Sequence, residues 1–365
     1  MGKIQEVVQF LESFAPRQYQ ESYDNSGLLT GDASWEVAGI MVTLDCIEAV
    51  VDEAIALKAN LIIAHHPIIF KGLKKITGSN YVERTIIKAI QHNIAIYAIH
   101  TNLDHVHNGV NRRICEKIGL KNLQILSPKK NLLTKLVTFI PVADTEKVLQ
   151  AIHGAGAGQI GKYSNCSFQV EGVGSFKPDM SADPHIGTPG KAEQVKENRV
   201  EVIFPAYLEG KIMTALKKAH PYEEVAYYLT SLNNENQEVG AGMVGILEKP
   251  MEGLKFLHHL KKTMGLSMVR HTRIVNEPVE KVAVCGGSGS FLLANAIHSG
   301  AQAYVTADFK YHEFFDAEDK IIIADIGHYE SEIYTKDLLK EVLTKKFPTF
   351  AIYFSTTVTN PISYL

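Results

Sequence analysis

The residues of this 365-residue chain best suited to chemistry are two adjacent histidines, His65 and His66, followed by Pro67 at the end of an apolar run. Leu61 to Ala64 reads as a buried strand, and the proline stops its ladder. Adjacent strand residues face opposite ways, but where the backbone turns at the strand's end both imidazoles can surround one small volume. Such a pair suits a metal ion better than a core. A second apolar strand, Ile94 to Ile99, ends in His100-Thr101-Asn102-Leu103-Asp104-His105-Val106-His107. A third, Lys320 to Asp325, is followed by Gly327-His328 and a helical pattern running to about Lys345. His328 and Glu332 are i and i+4, on one face of its first turn. Sites in open α/β sheets collect beyond the carboxyl ends of the strands.

Together His65, His66, Asp104, His328 and Glu332 offer five ligands of mixed nitrogen and oxygen type. Five ligands with two carboxylates suit two divalent ions, one carboxylate bridging them, about 3.5–4 Å apart around a shared water. The absence of cysteine disfavours a closed structural zinc site. The donor set suits Zn²⁺, Mn²⁺ or Fe ions. His100 reads as a ligand, a proton shuttle or a partner of a ligand, whereas His105 and His107 are expected to face solvent. Four further segments have two readings each. Tyr23-Asp24-Asn25-Ser26-Gly27 either presents Asp24 and Asn25 to the site or forms a capped turn. Cys285-Gly286-Gly287-Ser288-Gly289-Ser290 either cradles an anion or makes a tight turn. After Thr306 and Asp308, either Lys310 or His312 reaches a substrate, or the segment is a solvated first turn. His220-Pro221-Tyr222-Glu223-Glu224 has metal-like composition, but a structural turn is favoured.

The elements that must position these residues alternate. Residues 1 to about 125 carry strands at Gly39 to Leu44, at the His65 run and at the His100 run, with helices at Ile47 to Lys58 and Val82 to Gln91 between them. This βαβ rhythm implies a largely parallel sheet. It resumes after about 239, with strands at Val279 to Val284, Ala303 to Ala307 and Lys320 to Asp325, and a last one at Ala351 to Ser355. The middle differs: two strand–helix units with return strands suggest a small α+β, ferredoxin-like domain. The expectation is an α/β protein whose metal-binding domain is discontinuous, residues 1–126 and 237–365, with an inserted domain over 127–236.

The length favours two or three domains. With 37 Lys and Arg against 40 Asp and Glu, the net charge of −3 gives no support for nucleic-acid binding. The four cysteines lie far apart and read as reduced thiols of a cytoplasmic protein. No run approaches 18 apolar residues, and the N-terminus lacks the signal-peptide pattern, so no membrane span is expected.

The segments from Tyr23, His65, His100, Thr306 and His328, taken together, resemble the dinuclear-metal-centre family often filed as GTP cyclohydrolase I type 2 homologues, the Nif-three-like proteins. The resemblance covers nearly the whole chain. Gly158 to Phe168 and His220 to Ala226 resemble the longer bacterial subfamily, whose insertion looks like the PII or CutA fold. The resemblance implies that His66 and Asp104 hold one ion, that His65 and His328 hold the other, and that Glu332 bridges. It also implies a ring-shaped homohexamer with the metal sites facing an internal cavity. Tyr23 stands where many members have Trp, and Ala307 where many have Gly; neither is a proposed ligand. The function expected is a metal-dependent hydrolase acting on a nucleotide or related small phosphorylated or heterocyclic substrate, with His100 or His312 moving protons. The alternative is a non-catalytic metal-binding scaffold whose insertion senses a small molecule.

Overall fold

The structure, a computed structural model, describes residues 2–365. The chain forms two compact units, one from residues 1–127 and 239–365 and the other from 128–238. The first unit carries two sheets where a single, largely parallel one was expected. In the five-stranded sheet the order is Gly27–Thr30, Ala95–Ala98, Leu61–Ala64, Ile40–Thr43 and Ile352–Phe354. Its last four strands are parallel, and Gly27–Thr30 closes one edge antiparallel. The six-stranded sheet runs Arg270–His271, Ile322–Asp325, Ala303–Ala307, Val279–Ser288, Asn236–Met251 and Leu120–Lys129. Its three central strands are parallel, and Asn236–Met251 pairs antiparallel with Val279–Ser288.

The unbroken apolar runs are the strands buried on both faces. All four residues of Ile40–Thr43, Leu61–Ala64, Ala95–Ala98 and Ile322–Asp325 are buried, as parallel strands covered by crossover helices must be. Met41, Ile62 and Ile96 join Val50, Val51 and Ile86, from the helices Glu48–Ala56 and Tyr81–Gln91, in one core cluster. Ala283, Tyr304 and Ile323 join Leu292, Ala296 and Phe309 in another. Fully burying each Ile or Leu is worth about 1.5–3 kcal/mol, so these strand ends are rigid platforms. The helix expected after Gly327 is two, His328–Glu332 and Thr335–Lys346. The segment holding Asp104 is a short helix, Thr101–His105, rather than a loop. Among the described residues no helix is long and apolar enough to cross a membrane.

In the second unit, Leu133–Pro141, helix Thr145–Gly154, Phe168–Phe176, Glu193–Pro205, helix Glu209–Ala219 and Tyr227–Leu232 follow in sequence. The sheet order is Phe168–Phe176, Glu193–Pro205, Leu133–Pro141, Tyr227–Leu232, antiparallel throughout. This is the β-α-β-β-α-β arrangement of ferredoxin-like domains. Leu136, Ile140, Val200, Val202 and Phe204 meet Val148, Ile152, Ile212 and Leu216 of the helices in its core.

Candidate metal centre

The ladder outlasts the strands by a residue or two at the centre. His65 N–H donates to Thr43 O at 3.3 Å, His66 N–H to Leu44 O at 3.0 Å and Ile99 N–H to Ala64 O at 2.9 Å. The two histidines are therefore held by the sheet while their side chains project past its carboxyl end. Each then finds a different partner for Nδ1. His65 Nδ1 lies 2.8 Å from Ile99 O, and His66 Nδ1 lies 2.7 Å from Asp45 Oδ1. His328, at the start of its helix, places Nδ1 2.7 Å from Asp308 Oδ2. An acceptor on Nδ1 fixes the tautomer and turns the Nε2 lone pair toward an ion. Three histidines so arranged point three Nε2 atoms at one carboxylate, that of Glu332.

Glu332 is buried and offers its two oxygens to two sides. Oε2 lies 2.9 Å from His66 Nε2 and 3.1 Å from His328 Nε2, and these two nitrogens are 3.4 Å apart. Oε1 faces His65 Nε2 at 3.9 Å, and that nitrogen is 3.5 Å from Asp104 Oδ1. Ligand atoms of a tetrahedral ion with bonds near 2.0–2.1 Å stand about 3.4 Å apart, so the His66, His328 and Glu332 trio has close to the spacing of a coordination shell, as does the pair His65 and Asp104. His65 Nε2 and Asp104 Oδ1 are buried with no hydrogen-bond partner. Leaving such atoms unpaired is costly, and a cation between them would satisfy both. His65, His66 and Glu332 also stand out as a cluster able to share one ion.

The distances set the five candidate ligands in two groups, where the resemblance implies His66 with Asp104 and His65 with His328. His65 goes with Asp104, and His66 with His328. His65 lies against Ile99, at the end of the neighbouring strand that leads to Asp104, and His66 lies against Asp45.

The charges are interlocked. Burial opposes a charged ring at His66, but the Asp45 and Glu332 carboxylates outweigh it and push its pKa up to about 9. At His328 burial again opposes, and Glu332 and Asp308 raise the pKa to about 11. Glu332 is held well below the carboxylate range against burial, chiefly by His328 with His65 and His66. Burial and the Glu332 charge push Asp104 up. Without an ion, protons do its work on the imidazoles, and an ion must displace them.

A glycine makes room for the carboxylate. Gly287 has φ +63°, and a Cβ there would collide with Glu332 Oε1. Gly286 N–H donates to Asn111 Oδ1 and Gly287 N–H to Ser331 Oγ, both at 2.9 Å. These amides are occupied by the protein, so the 285–290 segment is the tight turn rather than an anion cradle.

His100 stands beside this group, its ring centroid 5.4 Å from those of His65 and His66. Its Nδ1 lies 2.8 Å from Asp24 Oδ1, and Asp24 Oδ2 accepts from Thr101 N–H at 3.0 Å and from the Thr101 hydroxyl. Burial opposes the Asp24 charge, but His100 and Thr101 hold its carboxyl well below the usual range. Asp24 therefore fixes Nδ1 of His100 as the ring nitrogen that faces a carboxylate.

A family model for Duf34/NIF3 (NGG1p interacting factor 3) matches residues 2–361. The chain belongs to the DUF34/NIF3 family. A Bacillus subtilis protein named GTP cyclohydrolase 1 type 2 homolog is 39% identical over 371 residues, 99% of this chain and 98% of that relative. A Halalkalibacterium halodurans protein of the same name is 38% identical, over 99% of this chain and 98% of the relative. Among solved structures, the Bacillus cereus protein related to NIF3 has a TM-score of 0.88 at 37% identity, covering 100% of this chain and 99% of that one.

Three carboxylates of this DUF34/NIF3 chain escaped the sequence reading as parts of the centre or were left undecided: Asp24, Asp45 and Asp308. Each lies just past a strand or at a turn, where an aspartate usually caps. Asp308 adopts φ +58°, which points its carboxylate back at His328. The expectation for His105 is corrected. It is buried, Nδ1 lies 2.8 Å from Tyr19 O and Nε2 3.2 Å from Glu21, because the short helix turns it inward. His312 is exposed, its ring against Tyr311 and Phe315. The C-terminal segment also reaches the centre: Thr359 Oγ1 donates to Asp45 Oδ2, and Asn360 Nδ2 to Glu330 Oε1 at 3.0 Å.

Proposed function

We propose that this protein is a dinuclear metal-dependent hydrolase acting on a nucleotide or related small phosphorylated or heterocyclic substrate. Two divalent ions, Zn²⁺, Mn²⁺ or Fe, would be held by His65 with Asp104 and by His66 with His328, with Glu332 shared between them. Such a pair polarises a substrate oxygen and makes water a usable nucleophile at neutral pH. The observation that carries the reading is the pair of buried, unpartnered ligand atoms, His65 Nε2 and Asp104 Oδ1, beside an oriented histidine.

The chain's own residues supply the rest. Asp24 holds His100 with Nε2 free to take a proton from water or return it to a leaving group. Asp45, Asp308 and Ile99 O fix the three ligating rings. His312 is the second candidate for proton transfer. The reading carries with it a ring-shaped homohexamer, a cytoplasmic setting and an inserted domain of the PII/CutA type, which the family resemblance implies.

The test is a screen of nucleotides and cyclic or phosphorylated heterocycles with metal-loaded protein, with and without Asp104→Ala and His100→Gln. Turnover should vanish in Asp104→Ala. It should fall by about 10²–10⁴-fold in His100→Gln at unchanged metal content. Equal turnover in all three proteins refutes the reading. No turnover across a broad panel at full metal loading favours the non-catalytic scaffold.

A further inference from the structure

The second unit contains a cavity of about 680 Å³ that the metal chemistry does not use. Its floor is the sheet face opposite the helices. Its roof is the stretch from Lys177 to Ile186 together with Tyr222. The volume is that of a small-molecule site.

The segment His220-Pro221-Tyr222-Glu223 builds it. His220 is buried; its Nε2 lies 2.9 Å from Phe139 O, and its Nδ1 accepts from Tyr222 N–H at 3.1 Å. Glu223 Oε1 accepts from Asp183 N–H at 3.1 Å and ties the roof down. Tyr222 then faces Phe176 and His185, with ring centroids 6.0 and 6.3 Å away. Phe139 and Tyr228, 5.8 Å apart, form another part of the wall.

Two polar groups meet inside it. Glu197 lines the cavity although it is only 8% exposed. The buried Tyr222 hydroxyl lies beside it and turns to the same carboxylate. Gly174 makes room, since a Cβ there would collide with the Glu197 carboxylate. A buried carboxylate needs donors. The cavity's charge says which kind of ligand brings them. Glu197, Glu223 and Glu224 line it with Lys177, Arg199 and His185, Glu171 is paired with Lys196 at 3.4 Å, and Arg199 is spent on Glu201, with contacts of 3.0 and 2.8 Å.

We propose that this cavity binds a small planar molecule bearing an amidine- or guanidine-type edge, which Glu197 receives with paired N–H bonds while the ring lies among Phe139, Phe176 and Tyr222. The Tyr222 hydroxyl, beside Glu197, is in reach of the same ligand. The site is independent of the metal centre. Anionic ligands are excluded by the same carboxylates.

The test titrates the full chain with benzamidine and 2-aminobenzimidazole, and with neutral benzamide and anionic benzoate as controls, by calorimetry and ligand-observed NMR. The two cations should bind and the controls should not. Glu197→Gln should weaken the cations by about tenfold or more, the loss when a charge-assisted pair becomes neutral. Gly172 lines the cavity and its Cβ would meet open space, so Gly172→Leu should fill the site without disturbing the fold and abolish binding. Asp104→Ala should leave binding unchanged. Absence of binding in the wild type overturns the proposal. So does equal binding in Glu197→Gln, or preference for benzoate.

Discussion

Asp45 touches no ion and yet should set the affinity of one. Its Oδ1 lies 2.7 Å from His66 Nδ1, and His66 shares the Glu332 Oε2 side of the centre with His328. Asp45→Asn keeps the shape and removes the charge that holds the Nδ1 proton. Loss of such a partner typically costs 10–100-fold in metal affinity, about 1.4–2.7 kcal/mol. The His65–Asp104 side has its own Nδ1 acceptor, Ile99 O, so the loss should fall on one ion alone. Metal-free protein reloaded with Zn²⁺ and titrated with a competing chelator should release two ions in the wild type. In Asp45→Asn, one release should move by 10–100-fold and the other should stay within about twofold. If both releases move together, or neither does, the division of ligands argued here is wrong.

Glu332→Ala should reduce the metal content from about two ions per chain to one or none, read by elemental analysis of chelator-treated, reloaded protein. Gly287→Ala should do likewise in a folded protein, because its Cβ displaces the Glu332 carboxylate; retention of two ions would show that the carboxylate can move aside. Burial opposes the Glu53 charge, but donors from Ser355, Thr356 and Thr357 lower its pKa to about 2. A depressed carboxylate stabilises the fold above its unfolded pKa, near 4.3, and loses that contribution as pH falls toward 2. Glu53→Gln should therefore flatten the acid limb of the stability profile between those values, seen in denaturant midpoints, and leave neutral-pH metal content unchanged. Removing residues 358–365 takes away the Thr359 bond to Asp45, so chelator competition should show the His66 side weakened, as in Asp45→Asn.

The candidate ligands were legible because chemistry interrupts a strong pattern. Leu61–Ala64 is wholly apolar, and His65 and His66 follow at once; His328 and Glu332 keep helical spacing. The supporting carboxylates were not. Asp45 and Asp308 are single aspartates beyond strands, and only the folded distances separate them from ordinary caps. The Gly27–Thr30 edge strand is one buried and three half-buried residues without alternation, and its antiparallel pairing is a tertiary choice. Phe168–Phe176 hid in a glycine-containing stretch because most of its side chains are exposed and no buried face marks a period. The assignment of ligands to sides depended on which way each strand-end residue turns, which spacing alone does not tell.

His66 and Glu332 meet across 266 positions of chain. During synthesis, His65, His66 and Asp104 emerge more than 200 residues ahead of their partners, as an incomplete set of donors. Closing so long a loop is entropically expensive and is compensated only when both sheets exist. Ions held there would therefore bind the finished molecule far better than any intermediate. By mass action they would add RT ln(1 + [M]/Kd) to its stability and act as a clasp between the first third of the polypeptide and its last 38 residues. Scarcity of metal would then be felt first as a loosening of the two chain ends, before any loss of secondary structure.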